Sequence, residues 1–309
     1  MGKDFDQIGW DEHLEDDCRH LIRLAVREDL DQTYDWTTVA LVGHEAIGTA
    51  DLVVRRDGVI AGLPVAETVL EEMAPSVDWH PLVTDGAAVE AGTAIARIEG
   101  PARNLLTCER IVLNFVGRLS GIATLTREYV ERVAHTKARI YDTRKTTPGW
   151  RRLEKYAVRC GGANNHRTGL FDAVLIKDNH LALGASAAGA AHYTPAEAVE
   201  RAREHVEQML GVAAAERMVI EIEVDTLAQL RAVLPAAPDI VLLDNMSSDE
   251  LRQAVALRDE DASTVELEAS GGVNLKTVAE IAATGVDRIS VGALTHAAGS
   301  LDVGLDWID

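Results

Sequence analysis

Apolar and polar positions alternate along this chain in two regimes. In the first third the pattern is mixed: it predicts a helix across Asp11–Asp29 and a pair of strands on either side of the Asp57-Gly58 turn signal. The stretch VTDGAAVEAGTAIARIEG, Val83 to Gly100, sets Asp-Gly and Ala91-Gly92 between alternating apolar residues, which suits a small antiparallel sheet with tight turns. From Ala102 to Val133 the spacing turns helical. Leu105, Cys108, Ile111, Val112, Phe115 and Leu119 recur at steps of three and four, so a long helix leads the chain into a second domain.

Beyond that helix the pattern becomes strand, polar tip, helix, repeated. Strands are expected near Ala138–Tyr141, Ala173–Ile176, Met218–Ile222, Ile240–Leu243, Thr264–Leu267 and Arg288–Val291. Helical patterns fall at Ala196–Leu210, Leu227–Leu234, Ser248–Arg258 and Leu275–Thr284, the alternation of a parallel sheet with crossover helices. Ala185–Ala191 reads as a small-residue surface loop. The chemically distinctive residues, Asp142-Thr143-Arg144-Lys145, Lys177-Asp178-Asn179, Glu223, Asp244-Asn245, Ser270-Gly271-Gly272 and Gly292, all follow the C-terminal ends of these strands. That placement favours a barrel-like α/β arrangement, in which this face carries the active site. Six strands rather than eight imply that the barrel is incomplete or open.

Charge sharpens the picture. Fifty acidic residues face thirty basic ones, giving a formal net charge of −20, and lysine is confined to Lys3, Lys137, Lys145, Lys155, Lys177 and Lys276. Nucleic acid and anionic membrane are therefore unsuitable partners, and no run of apolar residues is long enough to span a bilayer. Cys18, Cys108 and Cys160 are widely spaced and odd in number, which fits a reducing cytoplasm rather than a disulfide framework or a zinc site.

Against this acidic background, residues 144 to 167, RKTTPGWRRLEKYAVRCGGANNHR, hold seven Arg or Lys and His166 with a single acid, Glu154. For Arg151, Arg152, Lys155 and Arg159 a solvated helix face explains the charge equally well. Arg144, Lys145, His166, Arg167 and Lys177 sit instead at strand tips or glycine-rich turns, where side chains converge. Guanidinium forks suit planar carboxylates and lysine supplies a point charge for phosphate. One opposite charge at 4 Å contributes roughly 4 kcal/mol at an effective dielectric near 20 before desolvation. Surface acids beyond a Debye length, ~3 Å at 1 M salt, are screened, so local geometry wins. Glu223 and Asp244 can hold a divalent cation or sugar hydroxyls, and Ser270-Gly271-Gly272 with Gly292 makes a phosphate cradle.

The segments CERIVLNFVGRLSGIAT, DTRKTTPGWRRLEKYAVRCGGANNHRTGLFDAVLIKDNH, EIEVD, LLDNM, LEASGGV and VGALTH together closely resemble the quinolinate phosphoribosyltransferase family. The resemblance runs from Cys108 to the C-terminus and more loosely over the N-terminal part. It implies an N-terminal α/β sandwich domain, residues 1–114 completed by 295–309, and a C-terminal open α/β (TIM-like) barrel over 115–294. It further implies transfer of phosphoribosyl from phosphoribosyl pyrophosphate to quinolinate with magnesium, releasing nicotinate mononucleotide, pyrophosphate and carbon dioxide. In a homodimer of the family, Arg110 reaches the neighbour's site. Carried onto this chain, Arg110, Thr143, Arg144, His166, Arg167 and Lys177 bind quinolinate. Lys145, Glu223, Asp244, Ser270, Gly271, Gly272 and Gly292 bind phosphoribosyl pyrophosphate, with Lys145, Glu223 and Asp244 nearest the chemistry and Mg2+ held mainly through substrate.

Two other readings stay open on the residues alone: a Schiff-base lyase using Lys177, and a paralogue of the same fold that takes another anion. The lysine-poor acidic surface also matches a cytoplasm of molar salt. Activity and melting temperature are therefore expected to rise between dilute buffer and molar potassium chloride; if neither responds to salt, the salt-adapted reading falls.

Overall fold

Asp11 starts helix α1 (Glu12–Leu30): its carboxylate accepts the N–H of Leu14, and Leu14, Cys18 and Ile22, one turn apart, bury the inner stripe. There follow α2 (Trp36–Leu41), β1 (Ile47–Val54), β2 (Gly58–Val59), α3 (Leu63–Met73), β3 (Asp78–Pro81), β4 (Ala88–Val89), β5 (Ala94–Pro101) and the 32-residue α4 (Ala102–Val133). In this computed structural model, which describes residues 3–188, 193–261 and 264–308, the chain forms two units. The antiparallel unit holds Ile8–Glu128, Lys145–Ala163 and the chain from Leu294 onward, and the parallel unit holds the segment ending at Gln7, Tyr129–Arg144 and Asn164–Ala293.

The antiparallel unit is built on a four-stranded sheet in the order β12-β1-β5-β3, with the last strand, β12 (Val303–Ile308), beside β1. Asp57-Gly58 does not close the expected hairpin. β1 pairs with β5 and β12, whereas β2 pairs with β4, Gly58 opposite Val89. The reason is local: the Asp57 carboxylate accepts the N–H of Ala91 at 2.9 Å, tying the turn to a second loop instead of to its own strand. Asp85, in the other turn signal, caps α3 from a distance by accepting the N–H groups of Gly62 and Leu63, and it also accepts the Tyr156 hydroxyl. Gly121 on α4 is obligatory, because a Cβ there would stand 2.0 Å from the carbonyl oxygen of Gly299.

The parallel unit carries β6 (Arg139–Tyr141), β7 (Ala173–Ile176), α6 (Asp178–Ala188), α7 (Pro195–Leu210), α8 (Val212–Ala215), β8 (Val219–Val224), α9 (Leu227–Val233), β9 (Ile240–Asp244), α10 (Ser248–Glu260), β10 (Glu266–Ser270), α11 (Val278–Ala282) and β11 (Arg288–Ser290). All six strands anticipated from periodicity are present, every pairing is parallel, and the order is β6-β11-β10-β9-β8-β7. Helices α7, α9 and α10 each start with a capping box, Thr194/Glu197, Thr226/Gln229 and Ser247/Glu250. Of the expected loop Ala185–Ala191, residues up to Ala188 continue α6, in keeping with the helix preference of alanine, and the remainder lies outside the described residues.

The outer edge of β6 is occupied by Asn164, which bridges in parallel to Tyr141 and donates its N–H to Ile140 at 2.8 Å. Phe5 packs in a buried cluster with Tyr141, Ala173, Val219 and Ile240. Beside it Asp4 accepts from Arg139 at 3.1 Å, from the Tyr141 hydroxyl at 2.9 Å and from Arg288 at 2.9 Å. Arg288 is 1% exposed, also donates to Glu266, and lies with its Cζ 4.6 Å from the Tyr141 ring centre. Removing one member of a fully buried ion pair costs about 3–5 kcal/mol, and the partial exposure of Asp4 and Glu266 lowers the figure to ~2 kcal/mol here. Arg288→Met is expected to lose that much in urea unfolding; a change within about 0.5 kcal/mol, the range of an ordinary surface substitution, would show that the network does not stabilise the fold.

Candidate active site

Strand register brings the tip residues of the parallel unit together. Ser270 stands opposite Asp244 and Glu223 opposite Leu242, so Glu223, Asp244 and Ser270 end three adjacent strands. Lys177, the residue after β7, donates to the Glu223 carboxylate. A pocket of about 210 Å³ lies there, lined by Asp178, Leu181, Ala182, Glu223, Asp225 and Gln229. Asn245 adopts a left-handed backbone (φ 53°), its N–H bonds the Ser270 carbonyl at 2.9 Å, and its side chain donates to Asp244 at 2.7 Å. Gly271 (φ 93°) and Gly272 (φ 62°) are left-handed as well, and a Cβ on Gly271 would meet Asn245 Oδ1 at 2.1 Å. The turn after β10 therefore admits only glycine at its first position, and Gly292 follows β11 at the same end of the sheet.

At the tip of β6, buried Asp142 accepts the backbone N–H of His166 at 2.8 Å and the side-chain amide of Asn165 at 2.7 Å. Thr143 and Arg144 continue from this anchor. Arg167 is only 7% exposed; burial pulls its affinity for the proton down, and the neighbouring Arg144 pulls in the same direction. Two guanidiniums so placed repel each other until an anion lies between or beside them. Among the described residues the buried Arg144 Nε–H meets no hydrogen-bond acceptor.

Beneath these cations lies a layer of carboxylates. Glu221 and Glu268 sit two residues before Glu223 and Ser270 on the same strand faces, and both are 0% exposed. His166 Nε2 is 3.0 Å from Glu221 and 3.5 Å from Glu268, while its Nδ1 accepts the N–H of Arg167 at 2.8 Å. That last bond assigns the tautomer: with Nδ1 accepting, the ring proton is on Nε2, the nitrogen nearer the two carboxylates.

Two family models match the chain: "Quinolinate phosphoribosyl transferase, C-terminal domain" over residues 122–306 and the corresponding N-terminal domain over residues 35–120. The nicotinate-nucleotide pyrophosphorylase [carboxylating] of Mycobacterium leprae is 45% identical over 293 residues, 94% of this chain and 97% of that protein. A probable enzyme of the same name from Bacillus subtilis is 40% identical over 277 residues, covering 89% and 88% of the two chains. The chain belongs to the quinolinate phosphoribosyltransferase family. Among solved structures, the nicotinate-nucleotide pyrophosphorylase of Francisella tularensis superposes with a TM-score of 0.86 at 35% identity, covering 99% of this chain and 100% of that one.

Of the residues expected for a quinolinate phosphoribosyltransferase, the parallel unit brings Arg144 beside Arg167, Lys177 onto Glu223, and Asp244 opposite Ser270. His166 lies deeper than expected, 5% exposed, with its ring nitrogens turned to Arg167 and the carboxylates. Lys145 and Arg110 belong to the antiparallel unit. Lys145 is exposed, and its backbone carbonyl accepts the Thr295 hydroxyl at 2.7 Å. Arg110 is exposed on α4 along a pocket of about 250 Å³ with Glu28, Asp29, Phe115 and Trp150.

The basic helix expected at residues 151–159 is α5 (Arg151–Cys160), and it is less of a surface than its charge suggests: Lys155 and Glu154 are both 0% exposed. Glu154 accepts from Arg118 at 2.7 Å and from the N–H and hydroxyl of Thr147 at 3.1 and 2.9 Å, holding the loop that carries Lys145. Glu221 and Glu268 were not anticipated, although the Glu-x-Glu spacing of EIEV and ELEAS, with one member already assigned to the site or next to it, is a signal that both acids share the inner face.

By distance, His166, Glu221 and Glu268 could hold a metal ion, since their ligand atoms lie within 4.8 Å of one another. The hydrogen bonds oppose this for magnesium: an Nε2-bound ion would force a proton onto Nδ1, against the Arg167 N–H, and imidazole is a poor ligand for so hard an ion. The group is better described as a proton-sharing one. Burial first, and the Glu221 charge second, push the Glu268 carboxyl up to about 7. Its folded value lies above its unfolded one, so this stabilisation is complete below about pH 4.5 and is lost as pH rises towards 7. Glu268→Gln is expected to flatten the fall in unfolding free energy between pH 5 and 8; an unchanged slope in urea titrations would show that Glu268 does not carry the proton.

Proposed function

We infer that this site joins quinolinate to phosphoribosyl pyrophosphate with loss of carbon dioxide, the carboxylating nicotinate-nucleotide pyrophosphorylase reaction of NAD biosynthesis. Full-length similarity to enzymes of that name supports it, and one observation ties it to the geometry: Arg144 stands beside the buried Arg167 at the strand-tip face. Quinolinate carries two adjacent carboxylates, and a pair of guanidinium forks meets them oxygen by oxygen. Thr143 and Lys177 complete the quinolinate contacts, and His166 serves by fixing Arg167 through its Nδ1 acceptor rather than by offering a free N–H.

Phosphoribosyl pyrophosphate takes the other half of the face. The left-handed Gly271-Gly272 turn exposes backbone N–H groups with no side chain in the way, Ser270 and Gly292 flank it, and Lys145 adds a point charge. Asp244 and Glu223 offer hard oxygen ligands that fit Mg2+, which would supply charge neutralisation for the departing pyrophosphate. Lys177 holds Glu223 until substrate competes for the ammonium.

The chemistry follows from placement. The pyridine nitrogen forms a bond to ribose C1 as the bond from C1 to pyrophosphate breaks, so positive charge passes from C1 to the ring. The cationic ring then accepts the electron pair left when the carboxylate next to nitrogen departs as carbon dioxide, and a proton replaces it on carbon. No covalent bond to the protein is required. The ion pair of Lys177 with Glu223 suits anion binding better than Schiff-base chemistry. In family members Arg110 completes a neighbouring site, and we assign this chain the same dimeric arrangement and a cytoplasmic location. Among the described residues no helix is long and apolar enough to cross a membrane.

Pyrophosphate release is expected with quinolinate and absent with nicotinate; turnover of nicotinate would sink the decarboxylating assignment. Arg144→Ala is expected to lower kcat/KM about a hundredfold through lost positioning, and near wild-type kinetics would remove Arg144 from the clamp.

A further inference from the structure

Residues 3–7 meet the segment that carries His166 and Arg167 at two points. Gln7 and Asn165 exchange bonds, Asn165 donating its N–H to Gln7 Oε1 at 2.8 Å and Gln7 Nε2 donating to the Asn165 carbonyl at 3.1 Å. The same Gln7 amide donates to the Phe5 carbonyl at 2.8 Å, which bends the segment so that the Phe5 ring lies on His166, centroids 4.2 Å apart and planes 30° from parallel. Phe5 is 5% exposed. The segment is tied down at its other end, Asp4 to Arg139, Tyr141 and Arg288, and Lys3 to Asp239 and the Met218 carbonyl.

We propose that Phe5 is a positioning residue for quinolinate binding: by stacking on the His166 ring it holds the Nδ1 acceptor that fixes the Arg167 backbone. The inference rests on the assignment of Arg144 and Arg167 to the quinolinate carboxylates. Three supports confine the imidazole: Phe5 covers one face, Arg167 donates to one nitrogen, and Glu221 faces the other. The Arg167 hydrogen bond engages the ring at its edge. The stacked Phe5 ring resists tilting of the imidazole, and a tilted ring takes its Nδ1 lone pair away from the Arg167 N–H. The effect is directed at the residue expected to grip quinolinate, whereas the Asp244–Gly272 face is held by its own register and turn.

The test uses the full chain. Phe5→Leu keeps the apolar volume in the cluster and removes the stacked ring. An aromatic contact of ordinary strength corresponds to about a fivefold change, so the KM for quinolinate is expected to rise about fivefold. The KM for phosphoribosyl pyrophosphate should stay within about twofold. In parallel, the Cε1–H resonance of His166, shifted by the Phe5 ring current in the wild type, is expected to return towards its unstacked position. An unchanged quinolinate KM, or a rise of both KM values together as in general loosening, would overturn the proposal. If Phe5→Leu fails to fold, Phe5→Met, which also fills the cluster without a ring, takes its place; a quinolinate-selective rise supports the proposal and its absence refutes it. Arg167→Ala separates the layers. If it leaves the quinolinate KM unchanged, the carboxylate clamp itself falls and takes this role of Phe5 with it. If it raises the KM while Phe5→Leu does not, only the positioning role fails.

Discussion

The chemistry of this protein hangs on the register of a parallel sheet. Side chains on a strand alternate between faces, so a slip of one residue would turn Glu221 and Glu223 outward in β8, or Glu268 and Ser270 in β10. With Glu266 opposite Ile240 and Ser270 opposite Asp244, they face inward as two successive layers: buried acids below, strand-tip groups above. The crossover helices fix that register from outside, and their capping boxes fix where each helix starts.

The layering also settles an electrostatic problem. Arg144 and Arg167 are kept close in a poorly solvated place, which by itself would disfavour both charges. The Glu221 charge offsets part of that cost for Arg167. Because Glu268 shares the same buried site with Glu221, their mutual repulsion is relieved by raising the proton affinity of Glu268. His166 lies between the acidic layer, 3.0 Å from Glu221, and the backbone of Arg167, whose N–H its Nδ1 accepts. The buried cations are thus neighboured by acids, one of which has its proton affinity raised.

Much of this was legible residue by residue. Periodicity located all six parallel strands, and the tip positions of Lys177, Glu223, Asp244 and Gly271 followed from where each strand ends. What escaped was residues whose role depends on contacts far away in the chain. Glu221 and Glu268 look like ordinary strand acids until register stacks them under His166. Lys155 reads as surface because helical charge usually is, yet it is fully buried on α5. Phe5 is one aromatic in a polar stretch, and Asp57-Gly58 has every local mark of a hairpin.

The sequence by itself determined the family, the order of strands and helices, the acidic surface and the segregation of cations into one segment, since these are written in local periodicity, turn chemistry and composition. Only the tertiary structure decided which face of each strand is interior, which His166 nitrogen holds the proton, that β2 leaves β1 for β4, and that residues 3–7 end against His166 and Asn165. Most of these depend on contacts between residues far apart in the chain, such as Glu221 with Ile240, Gly58 with Val89 and Gln7 with Asn165, or on one carboxylate choosing among several N–H groups. Such choices are settled by which contacts can be satisfied together once water is excluded, and no local pattern encodes them.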